Sequence, residues 1–394
     1  MVYGLRFLAT VGVLLGAASA QSFRPVALPD FTERVTGVYC TSATACVIST
    51  DGSSEGHIYA SDGQTATTLI TGDYALGETF GTLGTLDFVG FSAVGDRVIA
   101  HLAGSSNALL AAPGDITQAD AWQAGPLGIP DGAIRGGNQQ IGLGSRGGRW
   151  VYFSRGTLFE TSDEPGAAAF WEPLWSPNPP GEVPSDFLAL YRDDPRLCAA
   201  EPGVNISPPL TQSGYVAADL AVILYPAGAR NQSGEAGPGL CISTDGGKRF
   251  YHVPFPEVEG DLGPLGVTCS SPDHCAAYGG LENEPDSAYI YVTTDAQQGA
   301  DSSWQRATLP ALREDSRFRG LAFAPGGQVG WAVGSSGGGS PLALTTADGG
   351  LSWTDATSQI RSLAPASRLH TVYLFDEEHV WIGGENGTLL TNGN

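Results

Sequence analysis

Thr346-Ala347-Asp348-Gly349-Gly350-Leu351-Ser352-Trp353 and Ser243-Thr244-Asp245-Gly246-Gly247-Lys248-Arg249-Phe250 are two copies of one pattern: a hydroxyl, an aspartate, two glycines and an aromatic. Paired glycines supply the positive φ of a tight hairpin turn, and the aspartate can accept the turn's exposed N–H groups. The aromatic, Phe250 or Trp353, then plugs a gap between packed sheets. Weaker copies follow the same plan. Thr161-Ser162-Asp163 leads to Trp171, Thr293-Thr294-Asp295 to Trp304, and Pro113-Gly114-Asp115 to Trp122. The aromatics recur roughly 50 residues apart where no insertion intervenes, the length of one repeat in a radial β fold.

A second element lies upstream of each turn: an apolar strand, a turn, and another apolar strand ending in small residues. Val38-Tyr39-Cys40 to Cys46-Val47-Ile48 is one example, and Leu321-Ala322-Phe323 to Trp331-Ala332-Val333-Gly334 is another. Alternating the two elements gives four antiparallel strands per repeat, a propeller blade. Seven repeats start near Val35, Leu86, Ile134, Phe187, Leu265, Phe318 and Leu369. The expected fold is therefore an all-β, seven-bladed β-propeller. The glycine turns resemble the Asp-box, or bacterial neuraminidase repeat, of sialidase-like propellers and of propellers of the photosystem II assembly-factor type. That resemblance implies a structural role for Asp245, Gly246, Gly247 and Phe250 and for Asp348, Gly349, Gly350 and Trp353, away from the binding face.

The seventh repeat ends at Leu390-Thr391-Asn392-Gly393-Asn394, where an outer strand should follow. Phe23-Arg24-Pro25-Val26-Ala27-Leu28-Pro29 reads like Trp304-Gln305-Arg306-Ala307-Thr308-Leu309-Pro310, the outer strand of the fifth repeat. Pairing this N-terminal segment with the last blade would close the ring and remove an open sheet edge.

Six cysteines sit at matched repeat positions, as expected of an oxidising compartment. Cys40 and Cys46 have the same spacing as Cys269 and Cys275, so each pair is expected to bridge the first two strands of its blade. Phe375 and Trp381 read as an aromatic pair at the same two positions. Cys198 matches the second position in the fourth blade, with Cys241 as its expected partner. Their spacing is unlike a zinc knuckle and only His274 lies close by, so no metal site is expected; free thiols and a metal are the weaker alternatives.

Met1 to Ala20 combine Arg6, an apolar stretch from Phe7 to Leu15 and the small run Ala18-Ser19-Ala20, which reads as a signal peptide. Residues 21–394 then form a single domain, secreted or periplasmic, with a long insertion at 202–239 in the fourth blade. No segment is apolar for long enough to form a membrane helix. The net charge of -22 argues against a nucleic-acid or anionic-membrane partner. It reads either as a solubility device or as a surface for a basic partner.

Blade-to-blade connections gather charge at Glu257, Glu259 and Asp261, and arginines stand near the start of inner strands at Arg34, Arg319 and Arg368. In a closed ring these arginines converge at the channel mouth, where they either pair with neighbouring acids or bind a ligand carboxylate. No catalytic constellation is present. Phe23-Arg24-Pro25 only partly matches the arginine motif of sialidases, and the histidines lack metal-ligand spacing. The expectation is a monomeric scaffold without a cofactor, binding a protein or glycan through one face. The alternative is a glycoside hydrolase or lyase of the sialidase-like superfamily.

Overall fold

A computed structural model of the chain describes residues 22–29, 33–51, 56–70, 87–94, 97–103, 108–126, 143–146, 149–154, 157–161, 172–175, 198–199, 215–216, 223–227, 230–231, 239–246, 249–255, 265–280, 287–313 and 315–393. These residues form seven four-stranded antiparallel sheets and one two-stranded ladder. Sheet 1 is Arg34–Ser42, Ala45–Asp51, Ile58–Ser61 and Ala66–Ile70, and sheet 2 is Asp87–Val94, Arg97–Ala103, Ala108–Pro113 and Gln123–Pro126. Sheet 3 is Leu143–Arg146, Arg149–Ser154, Thr157–Thr161 and Glu172–Trp175. Sheet 4 is Tyr215–Val216, Ile223–Ala227, Gly239–Ser243 and Tyr251–Pro254, and sheet 5 is Gly266–Cys269, Cys275–Gly279, Tyr289–Thr293 and Gln305–Arg306. Sheet 6 is Arg317–Phe323, Gly330–Ser336, Ser340–Thr346 and Thr354–Asp355. Sheet 7 joins Leu369–Leu374, Val380–Gly384 and Leu389–Thr391 to Arg24–Pro25 from the other end of the chain.

Second and third strands such as Gly330–Ser336 and Tyr289–Thr293 are buried along their whole length, whereas first strands such as Arg317–Phe323 alternate. Strands covered on both faces must lie between other sheets, and the cores are indeed inter-sheet. Trp331 and Val333 of sheet 6 pack with Phe23, Ile382 and Leu390 of sheet 7. Trp381, Val26 and Leu28 of sheet 7 pack with Val35, Ile48 and Tyr59 of sheet 1. First strands lie against one another from sheet 5 to 6, 6 to 7, 7 to 1, 1 to 2 and 2 to 3.

Arg24 and Pro25 pair antiparallel with Thr391 and Leu390. The Val26 N–H donates to Leu389 O at 2.9 Å, just as Ala307 N–H donates to Ile290 O at 2.8 Å in sheet 5. Ala27 then makes a parallel bridge to Thr65 of sheet 1, and its counterpart Thr308 bridges to Ser352 of sheet 6. The alignment of the N-terminal segment with the fifth repeat's outer strand thus holds residue for residue.

Four details differ from the sequence reading. Cys40 and Cys46 face each other and are bonded, as are Cys269 and Cys275. The equivalent pair in sheet 7 is Leu374 and Val380, however, not Phe375 and Trp381; Trp381 lies opposite Tyr373. A one-residue slip in a strand moves a side chain to the other face, and Leu374 and Val380 are the buried ones, at 5% and 0% exposure. Sheet 6 fills the same place with Phe323 opposite Gly330, whose missing Cβ would fall 2.5 Å from the Phe323 ring. Next, sheet 3 begins at Leu143 rather than near Ile134. Third, the segment 202–239 is not simply an insertion, because Tyr215–Val216 and Ile223–Ala227 are the first two strands of sheet 4. Finally, Cys198 does not stand at the second position of that sheet: Cys198–Ala199 pairs with Arg230–Asn231 in the separate ladder. Cys241 is disulfide-bonded; its expected pairing with the Cys198 side chain, like the signal peptide, lies outside the described residues.

Candidate functional site

In each sheet the turn after the third strand stands at one end, and the start of the first strand stands at the other. The glycine turns occupy the first end. Asp348 Oδ1 accepts from Ser352 N–H at 2.9 Å and from the Thr346 hydroxyl at 2.8 Å, while the Thr346 oxygen accepts from Gly350 N–H at 3.0 Å. Burial works against the Asp348 carboxylate, yet the Ser352 and Thr346 hydrogen bonds hold its carboxyl below the usual range. Asp245 repeats the geometry, accepting from Arg249 N–H at 3.0 Å, and Asp295 does so from Ser303 N–H at 2.8 Å. Gly246, Gly349 and Gly350 have φ of 77°, 75° and 89°, and Phe250 and Trp353 are buried. Gly247 and the copy at Asp163 and Trp171 lie outside the described residues. These aspartates are fully engaged in turn geometry, which leaves them no part in chemistry. A further copy, missed because no aromatic follows it, is Ser61-Asp62-Gly63, where Asp62 Oδ1 accepts from Gln64 and Thr65 N–H at 2.8 Å each.

Arg24, the look-alike of a sialidase arginine, is at this end too, donating through Nη2 to Gly393 O at 2.5 Å and Gly63 O at 3.0 Å. It clamps the seam between sheets 7 and 1.

At the opposite end the first strands share a β-bulge. Register shifts between Val35 and Gly37, Phe88 and Gly90, Phe318 and Gly320, and Leu369 and Thr371. A bulge leaves one extra residue and re-aims its side chain. In sheets 1, 6 and 7 the run is Arg34-Val35-Thr36, Arg317-Phe318-Arg319 and Arg368-Leu369-His370. Val35, Phe318 and Leu369 are fully buried anchors. Arg34, Arg317 and Arg368 are therefore equivalent, whereas Arg319 is equivalent to His370, a distinction the sequence reading did not draw.

Arg34 donates from Nε to Asp51 Oδ1 at 3.0 Å and from Nη2 to Oδ2, a bidentate pair. Arg368 Nη1 stands 3.6 Å from Glu385 Oε1, and His370 Nε2 stands 3.5 Å from the same oxygen. Burial, and after it the charges of Arg34, Arg319 and Arg368, push the His370 pKa down to about 3, so the ring is neutral at neutral pH. The three arginines expected to converge do act together, on a histidine that sequence spacing did not single out. Only the equivalence of Arg319 and His370 at the bulge could have found it. Glu257, Glu259 and Asp261 lie outside the described residues.

Beside this cluster, buried Glu33 accepts from the Thr50 hydroxyl through Oε2 and meets His57 Nδ1 at 2.6 Å through Oε1. Its backbone oxygen accepts from Gly387 N–H at 2.5 Å, tying the entry into sheet 1 to a hairpin of sheet 7. Among the described residues no group of three or more His, Cys, Asp or Glu could hold a metal ion. No helix of the described residues is long and apolar enough to cross a membrane.

No family model and no curated protein matches the sequence. Solved structures do match in fold. YCF48 from Cyanidioschyzon merolae aligns with a TM-score of 0.59 and 12% identity, over 94% of this chain and 98% of its own. A structure of YCF48 bound to D1 peptide aligns at 0.55 and 14%, over 94% and 96%. The GH74 xyloglucanase from Xanthomonas campestris aligns at 0.54 and 19%, over 92% of this chain and 52% of its own. All are β-propellers, and at these identities the likeness establishes the propeller fold alone.

Proposed function

We propose that the chain is an exported, monomeric Asp-box propeller that binds a protein or glycan partner through the face on which its first strands begin. In this reading Met1 to Ala20 are removed as a signal peptide, and residues 21–394 form one domain. The seven sheets are blades of a ring closed by the N-terminal strand. Disulfides suit an oxidising compartment, and a structural neighbour is an extracellular domain, that of BT4673 from B. thetaiotaomicron. The observation that carries the binding role is the grouping of Arg34, Arg319 and Arg368, from three successive sheets, around one buried neutral histidine. A peptide-bound neighbour of the same fold is consistent with such a face. A hydrolase would need two carboxylates available as acid and base or nucleophile. The two in the cluster, Asp51 and Glu385, are each engaged by an arginine, which favours binding over hydrolysis.

The test is affinity capture from the native host's envelope and medium, together with a glycan array, using wild type and the triple variant Arg34→Ala, Arg319→Ala, Arg368→Ala. Wild type should retain a partner that the folded triple variant releases. Equal capture by both proteins would sink the assignment of the face.

A further inference from the structure

The repeat supplies its own template for what a leading arginine faces. In sheet 1, Arg34 lies opposite Asp51. In sheet 7, Leu369 lies opposite Gly384, which puts Glu385 beside Arg368. In sheet 6, Arg317 lies opposite Ser335. Two successive sheets provide a carboxylate at this place, and the third provides a hydroxyl.

Ser335 and its neighbour Ser336 are 7% and 4% exposed, and neither hydroxyl meets a hydrogen-bond partner among the described residues. A buried hydroxyl without a partner is costly, so two in succession call for an explanation. They end the strand Gly330–Ser336, which packs against Leu369–Leu374 of sheet 7. The turn that follows, Gly337–Gly339, lies under Arg368: a Cβ at Gly339 would fall 3.3 Å from Arg368 Nε. Arg368 is 44% exposed, and its ion pair to Glu385 at 3.6 Å is too long for a hydrogen bond. Its donors therefore face the same gap as the two serines. His370 Nε2 is buried there, likewise without a hydrogen bond.

We propose that the gap between sheets 6 and 7 is a carboxylate-binding subsite, in which a ligand carboxylate takes beside Ser335 the place that Asp51 and Glu385 fill in the neighbouring sheets. It accepts from the Arg368 guanidinium and from the Ser335 and Ser336 hydroxyls. Arg317 and Arg319 have contacts of their own, and the subsite does not depend on their being available. Glu385 is the one acid at its edge, yet the arginine charges, not Glu385, set the direction in which His370 is shifted. The local potential therefore favours an anion in a chain whose net charge is -22. The proposal rests on the binding-scaffold reading and names the group that is recognised.

Calorimetric titration of the full chain at low salt tests it with two sources of carboxylate. One is trialanine against trialanine amide, and the other is digalacturonate against its methyl ester. At least one free acid should bind about tenfold or more tightly than its neutral derivative. Ser335→Asp, which gives sheet 6 the built-in carboxylate of sheet 1, should abolish that preference at an unchanged melting temperature. Arg368→Gln should weaken binding about tenfold and serves if the aspartate variant does not fold. Equal binding of acids and neutral derivatives, absence of binding, or wild-type affinity in both variants would overturn the subsite. If wild type captures a partner and Ser335→Asp captures it equally, the scaffold reading stands and the subsite falls. If the carboxylates bind while nothing is captured, the reverse holds.

Discussion

Deleting residues 21–28 removes the outer strand of sheet 7, and its cost can be worked from what the strand buries. Phe23, Val26 and Leu28 are 8%, 2% and 5% exposed, and Phe23 meets Trp331 edge-on at 5.2 Å. Three such side chains at ~2 kcal/mol each amount to roughly 6 kcal/mol. The Val26 bond to Leu389 and the Arg24 bonds to Gly63 and Gly393 add about 1 kcal/mol each. For a chain of 394 residues, an unfolding entropy of about 2.1 cal/mol/K per residue converts 1 kcal/mol into about 1.2 °C. The melting temperature should therefore fall by roughly 7–10 °C. Differential scanning calorimetry measures the shift, and a synthetic peptide of residues 21–29 added in excess should recover most of it. A shift below about 2 °C, or no rescue by the peptide, would mean that sheet 7 is stable without its borrowed strand.

The folded His370 pKa of about 3 lies below the ordinary value of 6.5, so between those two values the unfolded chain binds the extra proton. Stability should fall with pH across that window, by up to about 1.4 kcal/mol per unit. Denaturant melts from pH 6.5 to 4.5 should show a shallower fall for His370→Gln; identical slopes would refute the assignment. Replacing Cys40 and Cys46 by Ala should cost about 2 kcal/mol or more, from the lost short-loop closure and the lost packing. The pair Leu and Val, which fills the same place in sheet 7, should recover much of that in urea melts, and no difference between the variants would contradict the register equivalence. Gly334→Ala would set a Cβ 1.9 Å from the Arg317 carbonyl oxygen. It should destabilise by roughly 2–4 kcal/mol, and a loss below about 0.5 kcal/mol in the same assay would disprove that close approach.

The propeller's regular features were legible because they are local. Asp348 and its turn, and the match of Phe23–Pro29 to Trp304–Pro310, each carry their register within eight residues. The paired cysteines were legible because their equal spacing reflects the same hairpin. Leu374 and Val380 were misread because the large aromatics Phe375 and Trp381 drew the alignment one residue along, and hydrophobicity alone cannot say which face a strand buries. Sheet 4 was misread because Tyr215–Val216 is a two-residue strand amid glycine and proline, too short to show alternation. At the candidate site, the arginines could be placed by their position ahead of buried residues. His370, Ser335 and Glu385 could not, since a bulge and a cross-strand register bring them in, and neither is written in spacing along the chain.

The seam in sheet 7 gives the two termini a shared fate. Strands from opposite ends of the sequence lie edge to edge there, with the Arg24 guanidinium holding the carbonyl of Gly393. An exopeptidase working inward from either end must first unzip this same sheet, so digestion from one terminus exposes the other. Outside the cell, where no chaperone repairs a frayed edge, the chain protects both ends with one interaction, and its lifetime is set by how often that single joint opens.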